Sequence, residues 1–524
     1  MTVPAPASIA SPVDPVVRDE RDRAASDEAF PEQIRPDEVA PDQISFVLDG
    51  RVVHIRDIDP TLTVLDWLRE HAGRCGTKEG CAEGDCGACT VVLGEPAGDS
   101  MRYRAINSCI RFLATIDGKE LVTVESLAGT GSTLHPVQQA MVDQHGSQCG
   151  FCTPGFVMSL FALYQHNAQP QRDDVVEALA GNLCRCTGYR PIIDAGLAMA
   201  GYPQPSRWSR DDAQDGAHAR RLRDIRRHDA LRLPGFFAPR SVDELATAYA
   251  AAPDSLLLAG GTDVGLWVTK HLRELPPIIY LGEVGELQQC ERVDGRLRIG
   301  AAVCLTDAWS AIVAEHPSLA EVAQRFGSPP VRNSGTLCGN IANGSPIGDA
   351  MPALIALNAH VELRCGPRTR EIALEDLYLG YQKKALEAGE FVVAVLVPPR
   401  DPAVVLASYK WSKRIDQDIS AVCAAFALRI DEGFVVSARI AFGGMAPIPA
   451  RARQAEAALV GQKWSAETIE AAVAALAADF TPISDMRASA SYRLRAAGNL
   501  LRRLYLERGE DRVLSRTHDV ETTP

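Results

Sequence analysis

The loop GTKEGCAEGDCGAC, residues 76–89, decides how this chain is read. Cys81, Cys86 and Cys89 are spaced C-x4-C-x2-C, and Cys109 follows after 19 intervening residues. That is the plant-type [2Fe–2S] spacing. The residues between the thiols are small for a physical reason. Sulfides and thiolates are electron-rich and are stabilised by backbone N–H donors, which must come close; Gly80, Gly84, Gly87 and Ala88 permit that wrapping. A structural zinc site is the competing reading, but such sites usually pair two C-x2-C knuckles. Cys75 stands outside the pattern and reads as an incidental thiol.

Upstream, ISFVLDGRVVHI (44–55) alternates apolar and polar residues around Asp49-Gly50, a hairpin signal. Thr63 can cap a short helix from Val64 to His71, and an apolar strand, Thr90–Leu93, follows the cysteine loop. Hairpin, helix, metal loop and strand is the order of a β-grasp ferredoxin.

A second thiol set follows. QCGFCTPG holds Cys149 and Cys152, and CRCTG, 31 residues on, holds Cys184 and Cys186. Between 131 and 200 the pattern turns helical. Helices are expected to start at His135-Pro136, to run from Gly155 to Tyr164 behind Pro154, and to run from Asp174 to Ala180 before Gly181. The thiols then fall at helix ends, where free N–H groups and the helix dipole favour an anionic centre.

The whole chain sets outer limits. Its 524 residues exceed one core and imply three or four domains. A hydrophobic fraction of 46%, a charged fraction of 23% and a net charge of −13 fit a soluble protein and argue against a nucleic-acid partner. No apolar run reaches membrane-span length, and residues 1–43 do not have the pattern of a secretory signal. Fourteen cysteines gathered largely in motifs suit a reducing, cytoplasmic setting.

Residues 1–43 read as a disordered tail, 203–232 as a solvated, Arg-rich linker, and 509–524 as a polar tail. Further on, Leu256, Leu257 and Leu258 run into AGGTDVG (259–265), a strand entering a glycine turn whose amides could cradle a pyrophosphate. It is not GxGxxG, so a Rossmann fold is not indicated. NSGTLCGNIANGSPIGD (333–349) could close on the same ligand, and with two iron–sulfur motifs upstream the pair favours a flavin nucleotide. Beyond Val404, strands at 421–430 and 435–442 and a helix at 467–478 read as a small α+β domain.

In this order, CAEGDCGAC, QCGFCTPGF, GNLCRCTGYRPI, AGGTDVG and CGNIANGSPIGD resemble the iron–sulfur/FAD small subunits of the molybdenum hydroxylase family, of xanthine dehydrogenase type. The match spans 44–508. The resemblance implies an α+β multidomain fold. A ferredoxin-like domain takes 44–125, a four-helix-type [2Fe–2S] domain 126–202, a two-part FAD domain of PCMH type 233–404, and a carbon monoxide dehydrogenase flavoprotein-like domain 405–508. Cys81, Cys86, Cys89 and Cys109 resemble the ligands of the flavin-proximal cluster, and Cys149, Cys152, Cys184 and Cys186 those of the cluster nearest molybdenum.

Gln148 matches a residue that contacts the partner's pterin cofactor. Leu256, Leu257, Leu258, Ala259, Gly260, Gly261, Thr262, Asp263 and Val264 match the FAD pyrophosphate loop, and Phe326, Thr336, Gly339, Asp349, Val392 and Lys410 the remainder of that site. Tyr381 and residues 415–419 resemble the parts bearing on NAD access, and Cys338 stands where relatives often carry Gly.

Nothing here resembles the family's molybdopterin domain, so the catalytic molybdenum site is expected on a partner chain, in an α2β2 assembly. The implied role is to carry electrons from hypoxanthine or xanthine oxidation through two clusters and FAD to NAD+. The alternatives are the same role in an aldehyde or N-heterocycle hydroxylase, one using oxygen as acceptor, and a colourless zinc-binding scaffold.

Overall fold

The computed structural model describes residues 40–128, 133–205, 207–211 and 216–508, so the two expected tails lie largely outside it. The N-terminal sheet is ordered β2-β1-β5-β3-β4. It comprises β1 (Ile44–Leu48), β2 (Arg51–Ile55), β3 (Thr90–Ala97), β4 (Ser100–Asn107) and β5 (Glu120–Val122). The β1–β2 turn places Asp49 and Gly50 at φ 55° and 77°, the left-handed pair that a two-residue hairpin needs. The Thr63 hydroxyl accepts the Asp66 amide at the start of α1 (Val64–Asp66), which continues as a π-helical turn to His71.

All five residues of β1 are buried. One face, with Phe46, Val91 and Leu93, packs on the flavin domain's Leu231, Phe236 and Tyr280. The other face, with Val47 and Val92, packs on the helical domain. The thiol-bearing sheet is thus the middle layer of a three-layer stack.

The helical domain holds α2 (Pro136–Asp143), α3 (Thr153–His166), α4 (Arg172–Leu179) and α5 (Arg190–Ala198). His135 caps α2 by accepting the Val137 amide on Nδ1 at 3.2 Å. α3 buries Phe156, Val157, Leu160, Phe161 and Tyr164, so it serves as the domain's central helix.

The described residues of 203–232 correct the solvated-linker reading. Trp208 is buried, and its indole donates to the Ser126 carbonyl at 2.9 Å. A helix, Gly216–Ile225, buries Ala219, Leu222 and Ile225 at helical spacing, each large aliphatic worth about 1.5–3 kcal/mol. Arg227 is buried on Asp117 at 2.6 Å. Order also begins before residue 44, because Gln43 is buried and the Pro41 carbonyl accepts the Arg232 amide.

The flavin domain has two parts. In the first, β6 (Leu231–Leu233), β7 (Phe236–Ala238), β8 (Leu256–Leu258) and β9 (Ile278–Tyr280) form a sheet ordered β6-β7-β9-β8. In the second, β10 (Cys290–Val293), β11 (Arg296–Gly300), β12 (His360–Cys365), β13 (Arg368–Ala373) and β16 (Phe391–Val397) are antiparallel, in the order β10-β11-β16-β12-β13. A ribbon pairs β14 (Tyr378–Gly380) with β15 (Lys383–Lys384). The C-terminal sheet, β17 (Val404–Trp411) to β20 (Ala450–Arg451) through β18 (Val422–Asp431) and β19 (Phe434–Gly443), is backed by helices Ala466–Asp479 and Ala490–Arg508. No helix among the described residues is long and apolar enough to cross a membrane.

Candidate redox and flavin sites

The first thiol set is built where the middle sheet ends. Cys81 and Cys86 lie in the loop before β3, Cys89 is buried at its end, and Cys109 sits in the 3-10 turn after β4. Cys89 and Cys109 bring their sulfurs to 3.2 Å. The amides of Glu83, Asp85 and Cys86 each point at Cys81 Sγ from 3.4 Å. The Cys86 thiol, helped by those amides, holds Cys81 down to about 4, while Cys86 keeps the proton and is pushed up. Cys89 is likewise lowered by the Cys109 thiol, and Cys109 raised.

The second set pairs Cys149 with Cys186 and Cys152 with Cys184. The Phe151 amide and the Cys186 thiol lower Cys149, whereas burial pushes Cys152 up to about 12. Burial opposes ionisation of Cys184 but is outweighed by hydrogen bonds, including the Thr187 hydroxyl 3.1 Å from its sulfur. Cys149 and Cys186 are exposed, as is Gln148 beside them. Exposed Phe151, Leu183 and Tyr189 surround them.

Among the described residues no three His, Cys, Asp or Glu side chains converge as they would on one ion. The eight thiols meet instead in four pairs, two pairs to a set. That arrangement fits a two-iron centre, in which each iron takes two thiolates.

The two sets abut. The Leu183 amide donates to the Cys86 carbonyl at 3.0 Å, and Asn182 Nδ2 donates to the Gly87 carbonyl at 3.1 Å. Gly87 has φ +70°, and a Cβ there would lie 2.1 Å from the Gly181 carbonyl. Only glycine permits this approach.

On the far side of the first set lies a cavity of about 380 Å³ between the two glycine segments. A Cβ on Gly260 would sit 2.2 Å from the Ser334 carbonyl, so the segments touch backbone to backbone. Leu257, the run Ala259 to Val264, Phe326, Thr336, Gly339 and Val392 line it. Thr336 also caps the next helix, accepting the Gly339 amide at 3.0 Å.

Four expected flavin contacts are absent from that lining. Leu258 is buried in the sheet core and Leu256 packs against it. Asp349 and Lys410 are buried on each other at 2.8 Å, with the Ser420 hydroxyl donating to Asp349 at 2.6 Å. The pair joins the flavin and C-terminal domains, a structural use that sequence order does not reveal. Trp267, Lys384 and Phe391 line the cavity without having been singled out, although Trp267 lies only three residues past Val264. Cys338 also lines it, with its thiol pushed up to about 12 by burial.

The cavity rests on the first thiol loop. Helix Val264–Thr269 leaves the glycine turn and is tied to that loop by Thr269 Oγ1 donating to the Ala82 carbonyl at 2.7 Å. Lys270 Nζ donates to the Cys81 carbonyl at 3.0 Å. The 415–419 loop joins through Gln417 Nε2, which donates to the Asp85 carbonyl at 3.0 Å. Tyr381 is exposed and outside the lining.

Comparison with known proteins agrees with this order. A 2Fe-2S iron–sulfur cluster binding domain matches residues 46–112 and a [2Fe-2S] binding domain 123–197. The FAD binding domain in molybdopterin dehydrogenase matches 230–400, and the CO dehydrogenase flavoprotein C-terminal domain 407–508. A xanthine dehydrogenase of Emericella nidulans is 33% identical over 497 residues, covering 83% of this chain and 36% of its own length. Xanthine dehydrogenase 2 of Arabidopsis thaliana is 31% identical over 490 residues, 80% of this chain and 36% of its own. This chain therefore spans about a third of the length of these curated relatives. A carbon monoxide dehydrogenase chain of Hydrogenophaga pseudoflava is 32% identical with a TM-score of 0.48, covering 51% of this chain and 94% of that one.

The chain belongs to the molybdenum hydroxylase family and carries its two [2Fe–2S] domains and its FAD domain in one polypeptide. Its role there is electron transfer.

Proposed function

We propose that this chain is the electron-transfer part of a cytoplasmic xanthine dehydrogenase. Electrons enter from a molybdenum centre on a partner polypeptide that converts hypoxanthine and xanthine to urate, and leave to NAD+. When bound, the clusters supply one-electron carriers and FAD the two-electron carrier that delivers hydride to NAD+. Cys149/Cys186 and Cys152/Cys184 would each hold one iron of the outer cluster. Cys81/Cys86 and Cys89/Cys109 would do the same for the inner one.

The observation that carries this reading is the Leu183–Cys86 hydrogen bond. It supports reading the first thiol set as a middle station, with the exposed set on one side and the flavin cavity on the other. The chain's own residues hold the stations close, aim amides at sulfur and keep two of the four inner thiols dry: Cys89 is 1% and Cys109 2% exposed. Exposed Phe151, Leu183 and Tyr189 around the outer set suit a covering partner, with Gln148 at the contact. Two copies of each chain in an α2β2 particle is the expected assembly.

The test is expression of these 524 residues alone and together with the molybdenum chain. Alone, the protein reduces dyes with NADH and leaves xanthine untouched; together, purine turnover appears. Xanthine-dependent NADH formation by the isolated chain contradicts the reading.

A further inference from the structure

Next to the flavin cavity, where the middle sheet meets the flavin domain, is a second cavity of about 240 Å³. At ~30 Å³ per water it has room for about eight waters, far less than a dinucleotide needs. Ala259 and Thr336 belong to the walls of both cavities.

Its charges do not balance. Arg102, Arg104, Arg111, Lys119 and Arg226 line it, against Glu95, Asp117, Glu283 and Asp307. Asp307 is shared by Arg104 at 2.6 Å and Arg102 at 3.4 Å. Glu283 is shared by Arg240 at 2.6 Å, Arg226 at 3.2 Å and Lys119 at 3.6 Å. Asp117 is held by Arg227 and Glu95 by Lys119. Six cations therefore lean on four carboxylates.

Arg111 is the cation left over. It is 9% exposed and has no carboxylate within ion-pair distance among the described residues. Nη2 donates to the Tyr280 hydroxyl at 3.2 Å and reaches the Thr115 carbonyl at 3.4 Å, while Nε is buried with no partner at all. A buried donor on a charged group is costly to leave unmade. A guanidinium edge with a free N–H is shaped to take an oxyanion.

We propose that this cavity binds a small inorganic oxyanion of the phosphate or sulfate class on Arg111. The site lies two residues along the chain from Cys109 and shares walls with the flavin cavity. Its occupant therefore adds negative charge beside the flavin cavity.

The test uses the full chain with its cofactors at constant ionic strength, titrated calorimetrically with phosphate, sulfate and chloride. Phosphate or sulfate should bind one to one, and chloride should not substitute. Binding of one oxyanion or of both supports the class, and the comparison identifies the source. Arg111→Gln should weaken binding about tenfold or more, the loss of one charge-assisted hydrogen bond, with an unchanged visible spectrum. Arg102→Gln, at the half-exposed rim, should change it far less. Crystals of the unsubstituted protein soaked in selenate give a readout independent of any variant. An anomalous peak within hydrogen-bonding reach of Arg111 Nε supports the site. An ordered water there instead, selenate only elsewhere, or no oxyanion binding in the titration overturns it.

Discussion

The Leu183 amide and the Cys86 carbonyl, 3.0 Å apart, join the two thiol sets backbone to backbone, beside the Asn182 side chain on the Gly87 carbonyl. Leu183 is one residue from Cys184, and Cys86 is itself a proposed ligand. The backbone itself thereby helps to set the register of the two sets.

Closure of the flavin cavity rests on a comparable contact. Gly260→Val would drive a side chain into the Ser334 carbonyl, since even a Cβ comes to 2.2 Å. Overpacking of this kind costs about 1–3 kcal/mol, and the strain falls on the turn that would hold the pyrophosphate. FAD content should drop about tenfold or more, with iron and sulfide unchanged, as measured by flavin release and iron assay. Full FAD occupancy would detach the turn from the flavin.

Arg227→Met tests the region between the helical and flavin domains. Asp117 would be left buried, with only the Ser45 amide, at 2.8 Å, remaining of the contacts described here. Removing one partner of a buried pair costs about 3–5 kcal/mol. Urea unfolding should move by that amount. A shift under about 1 kcal/mol, the value for an exposed pair, would return 203–232 to a solvated linker.

Much of the site could be read from the sequence because its signals are local. Thiol spacing, the small residues around it and the two glycine turns each depend on neighbours within one loop. Residues 203–232 could not be read that way. Among the described residues, the apolar face of helix Gly216–Ile225 is Ala219, Leu222 and Ile225 among arginines, and Arg227 is neutralised by an aspartate 110 positions earlier. Asp349 and Lys410 pair with each other across 61 positions of chain and do not line the flavin cavity, a partnership that no local pattern marks. Lys384 and Phe391 reach the cavity from a ribbon and a strand far from either glycine turn, and no local pattern marks them.

His135 makes the helical domain sensitive to acid. Burial holds its imidazole down to about 4, against an ordinary 6.5, and its neutral Nδ1 accepts the Val137 amide. Between those values the unfolded chain binds a proton that the folded chain refuses. Stability is fully present above pH 6.5 and is lost progressively as pH falls toward 4, by up to about 3 kcal/mol. His135→Asn keeps a helix cap and removes the proton. Unfolding midpoints at pH 7, 5.5 and 4 should fall more steeply for the parent than for the variant; equal slopes would clear His135 of the effect.

The order of stations is the central claim, and Cys184→Ser in the assembled enzyme tests it most directly. The substitution removes one ligand of the outer cluster and leaves the inner thiols and the flavin cavity intact. Rapid mixing under anaerobic conditions, followed at the flavin absorbance, separates the two directions of entry. NADH should still bleach the flavin at the parent rate, while xanthine should no longer do so. Bleaching by xanthine at the parent rate, or loss of bleaching by NADH, would contradict the account.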